Sequence, residues 1–179
     1  DVVVLRPPGE ESLNVVVPWS ERRYQLTSKH VARPARGRIT ALGETHDVDP
    51  ARDGFGCLDY GRGVWPAVTT WNWGTAAAHV PGVGRVGLQL GGKWTDGTGS
   101  TENGFFVNGK LDKVGADLSW RYDPRDFMRP WHVGDAAGLV GAVLQAQAAL
   151  GGDQGGDLGR PAAHGNGGLV EDAGTLEAR

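Results

Sequence analysis

Phe105-Phe106-Val107-Asn108-Gly109-Lys110-Leu111-Asp112-Lys113-Val114 decides the fold class. Two short β-prone runs flank an Asn-Gly pair, which a type I′ turn prefers because both of its central residues take positive φ. The stretch reads as an antiparallel hairpin. Upstream, Val83–Trp94 places Val86, Leu88, Leu90 and Trp94 on one face, with Gln89, Lys93 and Thr95 on the other. Such alternation marks a half-buried strand. Leu13–Val17 is a β-branched run closed by Pro18, and Arg22–Thr27 alternates polar residues with Tyr24 and Leu26. Phe55–Tyr60 and Val64–Trp73 follow, separated by the turn-prone Gly61-Arg62-Gly63. Downstream, Leu118, Trp120 and Tyr122 alternate until Asp123-Pro124 stops the strand. Helical periodicity of any length is absent before residue 134. The expected fold is all-β and antiparallel, curled into a barrel or folded into a sandwich.

The composition divides the 179 residues in two. Every one of the seven Trp, three Tyr and four Phe lies at or before Trp131, whereas 12 of the 30 glycines fall in residues 134–179. That last stretch, rich in Gly and Ala and without aromatics, buries little apolar surface to set against its ordering entropy. Residues 1–133 are therefore read as the antiparallel β domain and 134–179 as a weakly structured tail. Within the tail, Ala136–Leu150 reads as one short helix ended by Gly151-Gly152. Charges nearly cancel, 18 basic against 21 acidic, which argues against a generally basic nucleic-acid binder. No apolar run approaches the ~20 residues that span a bilayer as a helix. The chain opens Asp1-Val-Val-Val4 as a strand already under way, with no signal peptide visible. The expectations are a cytoplasmic location, missing upstream strands and open sheet edges that favour self-association.

Several apparent motifs fail on chemistry. Gly87-Leu-Gln-Leu-Gly-Gly92-Lys93-Trp94 nearly matches a phosphate-binding loop, but Trp94 replaces the hydroxyl that holds magnesium. Asp96–Glu102 has the composition of a calcium loop, but it lacks acidic or amide oxygens at the third and fifth positions and its glutamate comes too early. The five histidines form no close pair, and Cys57 is the single cysteine, so no metal site or cofactor is expected. No G-x-S-x-G occurs to present a nucleophilic serine.

A dense polar-aromatic block remains. In Thr69–Gly74, Trp71 and Trp73 share one face of a strand while Thr70 and Asn72 share the other. Lys93–Asn103 then gathers Lys93, Trp94, Asp96, Glu102 and Asn103 into eleven residues. One reading is a ligand pocket with Trp71, Asn72, Trp73, Lys93, Trp94 and Asn103 as its binding set. Asp96 or Glu102 becomes a proton donor there if burial raises its pKa. The other reading is a polar turn bonding its own backbone, with tryptophans as core. Ser28-Lys29-His30 and Arg129-Pro130-Trp131-His132 are weaker candidates, since basic residues flanking a strand usually form a solvated face.

Asn14–Ser20, Thr27–His30, Thr69–Gly74, Gly87–Gly99, Thr101–Asn103 and Arg129–His132 together resemble the bacterial domain of unknown function 2804 family, over roughly residues 12–133. The resemblance implies a longer relative with a further β-rich portion upstream. It extends distantly to lipocalin-like barrels such as carotenoid hydratases and tocopherol cyclases. It thus implies an incomplete, lipocalin-like (calycin-type) antiparallel barrel or curled sheet, and names no catalytic residue. Beyond His132 the family pattern is lost, which points to a reading-frame change or a divergent tail. Two functional classes follow. One is a module holding an apolar small molecule of lipid or isoprenoid type. The other is a hydratase- or cyclase-like enzyme in which a carboxylate protonates a polyene or prenyl substrate and tryptophan faces steady the cation. A structural β domain without a ligand is the third possibility.

Overall fold

A computed structural model of the chain describes residues 1–135, with the backbone of Gly141–Leu144 and Val170–Glu177. The architecture is all-β, in antiparallel sheets, with a single 3-10 turn at Pro50–Arg52 among the described residues. Its spine is the 19-residue strand Arg23–Ala41, here β3, to which β1 (Val2–Val4), β2 (Leu13–Ser20), β4 (Glu44–Val48) and β5 (Phe55–Gly63) all pair. One strand serves four partners because it bends. At Ala32 φ is +53°, and the register with β5 shifts between His30 and Arg33. A bulge of this kind turns the strand and raises its twist.

The second sheet is a meander of β6 (Val68–Val80), β7 (Gly84–Gly92), β8 (Asn103–Val107) and β9 (Lys110–Val114). The β8–β9 turn has φ +50° at Asn108 and +81° at Gly109, the positive pair expected from Asn-Gly. The third sheet pairs β10 (Ser119–Arg121), β11 (Trp131–Gly134) and β12 (Gly141–Leu144). Gly141–Leu144 falls within the span expected to be helical. As a strand it meets the backbone hydrogen-bonding needs of β11, which a short helix cannot do. The rest of 136–150 lies outside the described residues. A last strand, β13 (Val170–Glu177), pairs with β6. The sheets curl over one another and do not close into a barrel among the described residues.

The meander separates two apolar clusters. On one side Leu13, Val15, Val17, Val31 and Ala32 meet Trp94 and Phe106. On the other Leu90, Leu118, Trp131 and Val133 pack together, with Tyr122 stacked 4.1 Å from Trp131. Contact on the first side is close because Gly87 of β7 faces the bend of β3. A Cβ at Gly87 would come within 2.8 Å of Ala32 Cβ.

Two strands differ from the sequence reading in which face they bury. In β3, Gln25, Thr27 and Lys29 point inward, and Tyr24 is exposed. After β7, Lys93 takes φ +71° and breaks the alternation, so Trp94 joins the β2–β3 side and not the side of Leu90. Both departures shape the same place.

Candidate functional site

A cavity of about 420 Å³ lies between β3 and β5 on one side and β6 on the other. Its apolar walls are Trp65, from the β5–β6 connection, Trp71 and Trp73 of β6, and Trp94 from the segment after β7. Trp71 and Trp73 share a face by simple alternation, and Gly91 is the register partner of Trp73. Trp19 leans on Trp65 and Trp94 at ring-centroid distances of 5.3 and 6.0 Å. Its indole N–H donates to the Trp94 carbonyl at 3.2 Å, which fixes the Trp94 loop against β2.

The polar wall is the inward face of β3 and β5. Register aligns Gln25 with Gly63, Thr27 with Gly61 and Lys29 with Asp59. Lys29 is 4% exposed, and its ammonium donates to Asp59 Oδ2 at 2.5 Å and to Glu102 Oε1 at 3.1 Å. It also stands 4.8 Å from the centroid of the Trp73 ring, a cation–π contact. Thr27 Oγ1 donates to Asp59 Oδ1 at 3.1 Å, and Trp94 Nε1 donates to Glu102 Oε2 at 2.9 Å. Glu102 reaches its place because Gly91 leaves room. A Cβ at Gly91 would stand 2.2 Å from Glu102 Oε2.

Burial pushes the Glu102 carboxyl above the usual carboxylate range, while the Lys29 charge and the hydrogen bonds from Trp94 and Lys29 pull it back. Lys113, close enough to feel Glu102, donates to Thr101 O at 2.6 Å; burial lowers its ammonium pKa. Gln25 Oε1 is buried and has no hydrogen-bond partner among the described residues.

The expected site residues separate into two groups. Trp71, Trp73, Trp94 and Glu102 come together at the cavity. Asn72 projects from the opposite face of β6 and is fully buried there, with neither side-chain polar atom partnered among the described residues. Asp96 accepts from Lys93 N at 2.9 Å in an exposed turn, and the Lys93 side chain is likewise exposed. Asn103 braces backbone, accepting from Gly91 N at 2.8 Å and donating to Ala116 O at 3.0 Å. Lys29, read as part of a solvated face, is a central group of the cavity. Gln25, Asp59 and Trp65 were not singled out by the sequence, and Thr27 entered only through the block that carries the family resemblance. The available signal was the pair Gly61 and Gly63, spaced for one strand face opposite a polar alternation. Among the described residues no group of three or more His, Cys, Asp or Glu is placed to hold a metal. No helix of the described residues is long and apolar enough to cross a membrane.

A family model described as domain of unknown function (DUF2804) matches residues 1–145. The match takes in residues 134–145, which the composition had placed in the tail. No curated protein and no solved structure matches the chain.

Proposed function

We propose that this chain, which belongs to the DUF2804 family, binds a small molecule with an apolar body, of lipid or isoprenoid type, in the tryptophan-walled cavity. The observation that carries the reading is the cavity itself: a concave space walled by Trp65, Trp71, Trp73 and Trp94, with a few convergent polar groups on one side. Small-molecule sites usually have this make-up. Native mass spectrometry of the protein purified from its host tests it. A co-purifying lipid or isoprenoid, displaced in Trp73→Ala, is the expected result. A chain that carries no such molecule, and takes none up from a host lipid extract, ends the reading.

A second reading is favoured by one specific observation, the burial of Glu102 against the cavity with its carboxyl pKa raised. In this reading Glu102 delivers a proton to a carbon–carbon double bond of a polyene or prenyl substrate. Tryptophan faces stabilise the carbocation, and water or a second double bond captures it with release of a proton that restores the acid. Incubation with a prenyl alcohol is expected to give a hydrated or cyclised product with the wild type and none with Glu102→Gln. Unchanged substrate in both removes this reading and leaves binding intact.

A further inference from the structure

Hydrogen bonding in the cavity is answered on the acceptor side and open on the donor side. Each of the four carboxylate oxygens already receives a bond: Asp59 from Thr27 Oγ1 and Lys29, Glu102 from Lys29 and Trp94 Nε1. Trp73 Nε1 donates to Gln89 Oε1, and Trp19 Nε1 to the Trp94 carbonyl. Three donors that line the cavity have no partner among the described residues: Gln25 Nε2 and the indole N–H groups of Trp65 and Trp71. Unlike Gln25 Oε1, both Gln25 Nε2 and Trp71 Nε1 keep surface that a ligand can meet.

The fold brings these donors to one end of the cavity. β3 and β6 advance together: Lys29 stands over Trp73, and beyond it Ala32 faces Gly87, the register partner of Ala77. Gln25 and Trp71 precede that Lys29–Trp73 pair on the inward faces of their strands, so both fall on the same side of the ionic cluster. Trp65 follows closely on Gly63, the register partner of Gln25. A Cβ at Gly61 would overlap Gln25 Nε2, so that glycine gives the amide its place on the wall. An apolar ligand that fills this end strips water from the three N–H groups. That desolvation costs free energy unless the ligand carries an acceptor to replace the water.

We infer that the ligand's polar end is an uncharged carbonyl, of a ketone, aldehyde or ester, accepting from Gln25 Nε2 and the indole N–H groups beside it. The two lone pairs of a carbonyl oxygen suit it to an amide and an indole donor together. Its apolar body lies against the tryptophan faces. A carboxylate head accepts as well, but it adds a negative charge beside Asp59 and Glu102, which already share the one ammonium of Lys29. An ammonium head leaves the three donors dry and unpaired. The inference rests on the small-molecule reading above and narrows it.

Isothermal titration calorimetry of the full chain at neutral pH tests it with three heads on similar chains: 2-nonanone, nonylammonium and nonanoate, each kept below micelle formation. The ketone is expected to bind about tenfold more tightly than either ion. Gln25→Leu and Trp71→Phe each remove one donor and keep an apolar wall. Each is expected to weaken 2-nonanone about fivefold and to leave nonylammonium within about twofold, a pattern that a general preference for uncharged ligands does not produce. On the wild type, the Trp65 and Trp71 indole N–H proton resonances are expected to move downfield with 2-nonanone and not with nonylammonium. Equal or tighter binding of either ion overturns the inference and leaves the small-molecule reading standing. No binding of any of the three overturns both. Folded variants that bind 2-nonanone as the wild type does also overturn it. If neither variant folds, the indole resonances decide, and N–H signals that stay in place with the ketone bound overturn the inference.

Discussion

Lys29 carries the electrostatics of the cavity at the scale of single residues. Its ammonium is nearly withdrawn from water and is the shared partner of Asp59 and Glu102. Removing one member of a buried ionic cluster strands the others. Lys29→Met is expected to cost about 3 kcal/mol by denaturant titration, the low end for such clusters because Asp59 reaches solvent. A cost below about 1 kcal/mol shows the cluster to be an exposed pair in practice. Two titratable groups pull stability in opposite directions with pH. The folded chain holds the Glu102 proton above the ordinary value of 4.5, so the contribution of Glu102 to stability falls as pH rises from there through the raised pKa. Glu102→Gln should flatten that decline in a series of melting temperatures. His30, with Ser12 Oγ at 2.9 Å from Nδ1 and Ser28 Oγ at 3.2 Å from Nε2, behaves the other way. Burial and the nearby Arg33 lower its pKa from 6.5. The unfolded chain takes the proton first on acidification, so stability is lost as pH falls from 6.5 through the lowered value. His30→Asn should remove that loss and leave the Glu102 behaviour unchanged.

At the scale of elements, the two sheets meet closely where Gly87 of β7 faces Val31 and Ala32 at the bend of β3. Gly87→Val is expected to destabilise by roughly 1–3 kcal/mol through overpacking, read from urea unfolding. A neutral outcome means the bend yields freely. Elements such as the β8–β9 hairpin were legible because Asn108-Gly109 carries its own geometry. Alternation in β6 was equally legible, and it put Trp71 and Trp73 on one face. The inward face of β3 was not. Sequence alternation says which residues share a face but leaves open which face is buried, and polarity is the usual guide. Here Thr27 and Lys29 face inward because Asp59 and Glu102 meet their polar groups, so polarity misleads. Trp94 was misplaced for a different reason. A single positive φ at Lys93, invisible in a residue that rarely adopts it, carries Trp94 to the other side. Glu102 stood among the sequence candidates, but its partner Lys29 lies 73 positions away, beyond the reach of any local pattern.

At the scale of the molecule, the two main sheets are strapped together away from the cavity by the segment preceding β2. Glu10 pairs with Arg33 of β3 and Arg85 of β7, and Glu11 accepts from Leu111 N at 2.8 Å. Glu10→Gln leaves two largely buried guanidinium groups without their carboxylate, and a loss of roughly 3–5 kcal/mol in thermal unfolding is expected. A melting curve matching the wild type shows the strap to be dispensable. The Trp19, Trp65 and Trp94 indoles that crowd one side of the cavity have a consequence for how the molecule meets light. Their ring centroids lie 5.3, 6.0 and 6.1 Å apart and their planes are tilted 50°, 71° and 38° to one another. Transition dipoles so close and so skewed share their excited states, and a chiral arrangement of them rotates circularly polarised light strongly in the far ultraviolet. The dichroism spectrum should therefore carry an indole couplet on top of its strand signal. Trp65→Leu should weaken the couplet, to what the Trp19–Trp94 pair still supports, while leaving the strands in place.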